Sequence, residues 1–384
     1  MYLDYAATTP VYPEVVEAMQ PFWQVKFGNP SSVHAWGQEA RVAIDEARGK
    51  VAGFLGAEPM EVVFVGTTTS STNLAIQGVA RALKEKGNHI ITSQVEHHAV
   101  LDVVKALSDQ NTFLPVDKFG VVDLGILEKA ISENTILVTI MYANNEVGTI
   151  QPIKKISEIL KAKEKKLNTK IYFHVDAAAA VGWLDVNVVH LGVDLLTLGA
   201  HKFGGPKGVG ILYVKKGTPI KPTVFGGHHE EGLWPGTEAV PLVVGMSKAL
   251  EISLAREKTV KPKVKRLRDQ LIKGVLTIPK TELTGHPTKR LADIASFIIE
   301  GIEGEATLLL LSDYGIAASS GSACTSGQLK PSHVLLAIGI PAEKAHGSIR
   351  FSLGPETSPK DIDYVIQVLP RVVEKLRRLR RGIK

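Results

Sequence analysis

Between Glu61 and Tyr213 the chain alternates two patterns of apolar spacing. Short β-branched runs at 61–65, 89–93, 112–115, 135–141, 171–175, 194–198 and 209–214 predict strands. The stretches between them, at 70–86, 98–109, 123–131 and 152–166, carry apolar residues at helical intervals, as do 13–26 and 37–55. The strand runs are apolar nearly throughout, as expected of strands covered on both faces. The fold class is therefore α/β, with a mostly parallel sheet and helices on both faces. After residue 255 the pattern changes. Long charged helices at about 240–278 and 359–381 flank short strands near 294–299 and 348–352, which reads as a smaller α+β domain. The expected division is 14–255 for the large domain, with 1–13 and 256–384 forming the small one.

Composition alters this picture little. Of 384 residues, 44% are hydrophobic and 22% charged, as in ordinary globular proteins. No apolar run is long enough to cross a bilayer, and the N-terminus lacks a signal-peptide pattern, so the expected location is cytoplasmic. The net charge of +6 matches the six basic residues Lys375, Arg377, Arg378, Arg380, Arg381 and Lys384. They read as the solvated face of a final helix whose buried face is Leu369, Val372, Val373, Leu376 and Leu379. The alternative is a surface for an acidic protein or RNA. Nucleic-acid binding is disfavoured, because no aromatic residues interleave with the basic ones. The single cysteine, Cys324, excludes an internal disulfide and any multi-cysteine metal site.

Open parallel sheets bind ligands beyond the carboxyl ends of their strands. Thr69, His97, Asn145, Asp176 and Lys202 all fall at such ends. Lys202 ends an apolar strand and enters a glycine-dense turn. Burial there disfavours its charge, and a neutral amine can form a Schiff base. Lys207 is a rival, placed further into the turn. Asp176, at the end of IleTyrPheHisValAsp, is either a helix N-cap or an anion facing a protonated pyridine. A Schiff-base lysine with such a carboxylate is the minimal toolkit for pyridoxal phosphate. GlyThrThrThrSerSerThrAsn (66–73), which includes Thr68 and Thr69, reads as a phosphate cradle at a helix start or as a plain capping cluster. No dinucleotide or Walker glycine motif occurs. A metal site combining GluHisHis (96–98) with HisHisGlu (228–230) is disfavoured by spacing; His97 suits proton transfer or ring stacking better. Cys324, among small polar residues, is a buried filler or an accessible reactive thiol. Arg350 reads as a surface ion pair or as a fork for a substrate carboxylate.

Together these segments resemble the cysteine desulfurases of the NifS/IscS type, within the class V aminotransferases. The resemblance runs nearly end to end. It is carried by TyrLeuAspTyrAlaAlaThrThrPro (2–10), PheGlyAsnProSerSerValHis (27–34), GluHisHisAlaVal (96–100), AlaAsnAsnGluValGlyThrIleGlnPro (143–152), HisValAspAlaAla (174–178), AlaHisLysPheGlyGlyProLysGly (200–208), SerSerGlySerAlaCysThrSer (319–326) and GlySerIleArgPheSerLeuGly (347–354). It implies a pyridoxal-phosphate-transferase-like large domain and conversion of L-cysteine to L-alanine. Lys202 would bind the cofactor and move protons. Asp176 would pair with the pyridine nitrogen, and His97 would stack on the ring and act as acid or base. Thr68, Thr69 and His201 would hold the phosphate, with Thr237 reaching the phosphate of a neighbouring subunit in a homodimer. Asn145 and Arg350 would grip the substrate carboxylate. Cys324, in a long loop, would take the sulfur as a persulfide for an acceptor, such as an iron–sulfur scaffold whose cluster Cys324 could itself hold, or a tRNA thiolation enzyme.

Several positions depart from that pattern. ValGlyThrThrThrSerSer (65–71) replaces ThrSerGly-x-ThrGluSer, changing positions Gly66 and Ser70. Ala179 stands for a glutamine that contacts the cofactor's phenolic oxygen, Gly199 for a phosphate-binding serine, and Trp234 for an arginine. Each lost bond to a charged group costs about 1.5–3 kcal/mol. The expectation is weakened cofactor retention, with a cofactor-poor scaffold in sulfur trafficking, or another reaction such as selenocysteine cleavage, as the alternatives.

Overall fold

A computed structural model describes residues 1–108, 110–321 and 331–382, without the side chain of Arg381. Seven strands form the main sheet: β1 (Val62–Val65), β2 (His89–Ser93), β3 (Thr112–Leu114), β4 (Thr135–Met141), β5 (Tyr172–Asp176), β6 (Leu195–Gly199) and β7 (Gly210–Val214). Their order is β1-β7-β6-β5-β4-β2-β3. The pairings from β6 through β3 are parallel; β7 alone runs against both its neighbours, β1 and β6. Every residue of β4 and β6 is buried. In β1, Val62 and Phe64 join one apolar cluster while Val63 and Val65 join another, so each face of the sheet has its own core.

The helices are α1 (Pro13–Met19), α2 (Pro21–Gln24), α3 (Ala35–Leu55), α4 (Thr68–Ala82), α5 (His98–Leu107), α6 (Leu124–Ala130), α7 (Ile153–Leu167), α8 (Val188–Leu191), α9 (Val240–Val275), α10 (Gly304–Asp313), α11 (His333–Ala337), α12 (Ala342–Ala345) and α13 (Pro359–Gly382). The single helix expected over 13–26 is broken into α1 and α2, with Pro21 opening the second. α4 starts two residues earlier than the spacing predicts, because the Thr67 side chain caps it by accepting from the Ser70 N–H at 3.0 Å.

A second sheet, ordered β10-β9-β8, contains β8 (Thr281–Leu283), β9 (Ile294–Ile299) and β10 (Ser348–Ser352). Its core combines Phe297 and Phe351 with Leu267 of α9 and Val372 of α13. Leu3 joins this cluster. α9 packs on α1 and α3 as well as on α13 and β9, so residue 255 falls inside one continuous helix. On α13, Leu369, Val372 and Val373 are buried, but Leu379 is 56% exposed and does not belong to the buried face expected of it. Among the described residues, no helix is long and apolar enough to cross a membrane.

The first nine residues tie the two sheets together. Leu3 N–H donates to Ala317 O at 2.9 Å and Leu3 O accepts from Ser352 N–H at 2.8 Å. Thr9 N–H then donates to His201 O at 2.9 Å, in the turn after β6.

Candidate active site

β6 stops at Gly199 and one short helical turn, Ala200–Lys202, follows. The chain escapes that turn through Gly204, whose φ of +83° and position against the Tyr12 ring leave no room for a side chain. Lys202 is half-buried and its Nζ donates to the carbonyls of Ala6 (2.6 Å) and Ala7 (2.9 Å). Lys207 is exposed. Neighbouring His201 pairs through Nδ1 with Thr8 Oγ1 at 3.2 Å. Burial first, then the charges of Lys202 and Lys207, push its pKa down to about 4.

Asp176 ends β5 and is buried. Its Oδ1 accepts from Ala178 N–H at 3.0 Å, and a turn rather than a helix follows, so it caps no helix. Burial raises its pKa, opposed by that bond and by the charges of His97 and Lys202. Those charge effects place the three side chains in one electrostatic neighbourhood. His97 caps α5, with Nδ1 accepting from Ala99 N–H at 3.1 Å. A neutral ring in this position carries its proton on Nε2. Burial among its neighbours is the largest cause of its lowered pKa; Asp176 opposes the shift and Lys202 adds to it.

Thr68 and Thr69 lie in the first turn of α4. Thr69 and His97 line one open cleft of about 600 Å³. The Thr68 hydroxyl is buried without a hydrogen-bond partner among the described residues. A Cβ on Gly199 would stand 1.9 Å from that hydroxyl oxygen and 3.7 Å from the His201 ring. Thr237 is exposed and lines a separate cavity of about 130 Å³ with Gly66, Gly208 and Trp234. Ser70 is bonded to Thr67 across 2.9 Å, and Ala179 packs in a small apolar cluster with Ala6 and Trp183.

Arg350, on β10, is buried and not on the surface. It donates to Asp4 Oδ1 at 2.8 Å and to the main-chain oxygen of Asn145 at 3.0 Å, while its Nε has no partner among the described residues. The fork is thus held beside Asn145, with one donor unused. Cys324 lies outside the described residues. Of the rival metal ligands, Glu230 is engaged by Arg48 at 2.7 Å. Among the described residues, no group of three or more histidine, cysteine or carboxylate side chains could hold a metal ion.

Glu146 and His333 carried no functional reading in the sequence, and Glu96 only that of a disfavoured metal ligand. Glu96 is fully buried, accepting from Ser93 Oγ (2.5 Å) and Met141 N–H (2.8 Å). Burial, with Asp176 adding to it, lifts its pKa to about 8. Burial therefore favours the uncharged form of Glu96 at neutral pH. Glu146 accepts from Ser332 Oγ at 2.5 Å, pinning the chain just after the undescribed 322–330 stretch to the turn that holds Asn145. His333 donates from Nε2 to Glu96 O at 2.9 Å, and its ring lies 4.8 Å from that of His98. The sequence signal for Glu96 is its place in GluHisHis (96–98), just past the end of β2.

The aminotransferase class-V profile matches residues 1–365. The chain is 50% identical over 382 residues to cysteine desulfurase IscS of Methanosarcina thermophila, covering 99% of this chain and 93% of that protein. It is 45% identical over 379 residues to cysteine desulfurase IscS 1 of Archaeoglobus fulgidus, covering 98% and 97%. A solved NifS-like protein superimposes with a TM-score of 0.91 at 38% identity, covering 97% of this chain and 99% of that one. A strand-end lysine beside a buried aspartate, on a fold shared along almost its whole length with these relatives, places the chain in the class-V aminotransferase family.

Proposed function

We propose that this protein is a pyridoxal-phosphate-dependent cysteine desulfurase. The observation that carries the reading is the electrostatic trio at three strand ends: Lys202, the buried Asp176 and His97. The residues present fit the cofactor. Asp176 is a carboxyl group kept from water, and the Thr68 hydroxyl is a buried donor still lacking a partner among the described residues. Lys202, Asp176, His97, Thr68, Thr69 and His201 would hold it, with Thr237 serving a neighbouring subunit. When bound, pyridoxal phosphate supplies an aldehyde that captures amines and a ring that accepts electrons.

The protein's part is positional and protonic. Asp176 would pair with the cofactor's ring nitrogen and favour its protonated form. Lys202 Nζ is the base that takes the proton from the substrate's α-carbon. His97, neutral with its proton on Nε2, is placed to donate. Arg350 and Asn145 orient the substrate carboxylate. The Cys324 thiolate takes the sulfur atom of L-cysteine; the carbon–sulfur bond breaks, the carbon gains a proton, and L-alanine and a persulfide result.

The proposed assembly is a homodimer. Trp23 (54%), Phe27 (65%), Trp36 (57%) and Phe225 (80%) are large exposed rings of a kind that interfaces cover. The proposed setting is the cytoplasm, where reducing conditions keep a lone thiol reactive. The sulfur acceptor is proposed to be a protein, such as an iron–sulfur scaffold. Purified protein mixed with L-cysteine and a thiol reductant should release alanine and sulfide in equal amounts, with a change in the visible spectrum. A colourless protein that stays colourless with added pyridoxal phosphate, and makes no alanine, would overturn the reading.

A further inference from the structure

We propose that Thr68 and Gly199 act as one unit. The Thr68 hydroxyl binds the cofactor's phosphate from the space a side chain at 199 would fill, and position 199 is glycine to leave that space. This rests on the pyridoxal phosphate reading above. Gly199 has φ −133° and ψ 124°, an extended conformation open to any residue, so its backbone does not call for glycine. The requirement is steric: a Cβ there would lie 1.9 Å from Thr68 Oγ1 and 3.2 Å from Thr68 Cβ. The hydroxyl that excludes it is buried and unpartnered among the described residues. Buried polar groups are nearly always bonded, so an orphan beside His201 at the start of a helix points to an anionic ligand. The serine expected at 199 from the family resemblance is thus replaced and not simply lost. Its hydroxyl has moved across the gap to α4, at the variable position of the 65–71 segment.

The test is a set of absorbance titrations of apoprotein with pyridoxal phosphate and with pyridoxal, which lacks the phosphate. Thr68→Val keeps the shape without the hydroxyl. It should weaken pyridoxal phosphate binding about 10- to 100-fold while leaving pyridoxal binding within about twofold of wild type. Thr68→Ser should bind like wild type. Gly199→Ser alone should bind the phosphate form poorly and melt earlier. Adding Thr68→Ala to it should restore affinity to within about threefold, because the hydroxyl returns on the other strand end. Thr68→Val binding pyridoxal phosphate as wild type does would overturn the pairing. So would an equal loss for both ligands, or a double variant no better than Gly199→Ser. A wild type that takes up neither ligand marks the different failure, that of the functional reading, and overturns the pairing with it.

Discussion

Arg350 and Asp4 form a part-buried ion pair 2.8 Å long between residues 346 positions apart. It fastens the N-terminal segment to β10 at the point where the same segment, through Ala6 and Ala7, receives Lys202 Nζ. Lys202 and Arg350 therefore share one short piece of backbone as their spacer.

Asp4→Ala leaves a guanidinium with 6% side-chain exposure short of its counter-ion. Breaking such a pair costs about 3–5 kcal/mol. Urea unfolding should show that loss, with Asp4→Asn intermediate because an amide oxygen can still accept. An Asp4→Ala protein as stable as wild type would mean the pair does not anchor the segment.

Glu96 predicts a pH dependence of stability. Its folded pKa of about 8 lies above the ordinary 4.5, so the folded state keeps a proton the unfolded chain gives up. The contribution is full below about pH 4.5 and is lost as pH rises through 8. Glu96→Gln should flatten the melting temperature over that window, measured against pH by calorimetry. An unchanged slope would remove Glu96 from the account.

His97 should be neutral at working pH, because its pKa is drawn below 6.5. The acidic limb of kcat/KM attributed to it should fall below pH 6.5 and vanish in His97→Ala, with kcat reduced about 10²- to 10⁴-fold. A limb above pH 7 that vanishes in the same variant would contradict a neutral ring.

Cys324→Ser should stop alanine release from L-cysteine and leave the cofactor's visible band in place, read by amino-acid analysis and absorbance. Undiminished alanine production would take the persulfide out of the reaction.

Six of the seven main strands were legible because they are short, largely apolar runs buried almost throughout; in β3 only Leu114 is buried. β8, three partly exposed residues in ThrGluLeu, carries no such signal. The reversed direction of β7 was not legible either, since apolar spacing does not encode strand polarity. Lys202, Asp176 and His97 stood out because charged or ionisable groups interrupt apolar runs at strand ends. Asp4 and Glu146 did not, because their partners Arg350 and Ser332 lie far along the chain. The loss of a hydroxyl at Gly199 was legible, but its steric coupling to Thr68 required the two elements side by side.

Lys202 is proposed as the amine that holds the cofactor. Protein loaded with pyridoxal phosphate, reduced with borohydride and digested, should carry the added mass on the peptide containing Lys202 and lose it in Lys202→Ala. An adduct on Lys207 or another lysine, or none at saturating cofactor, would contradict the account.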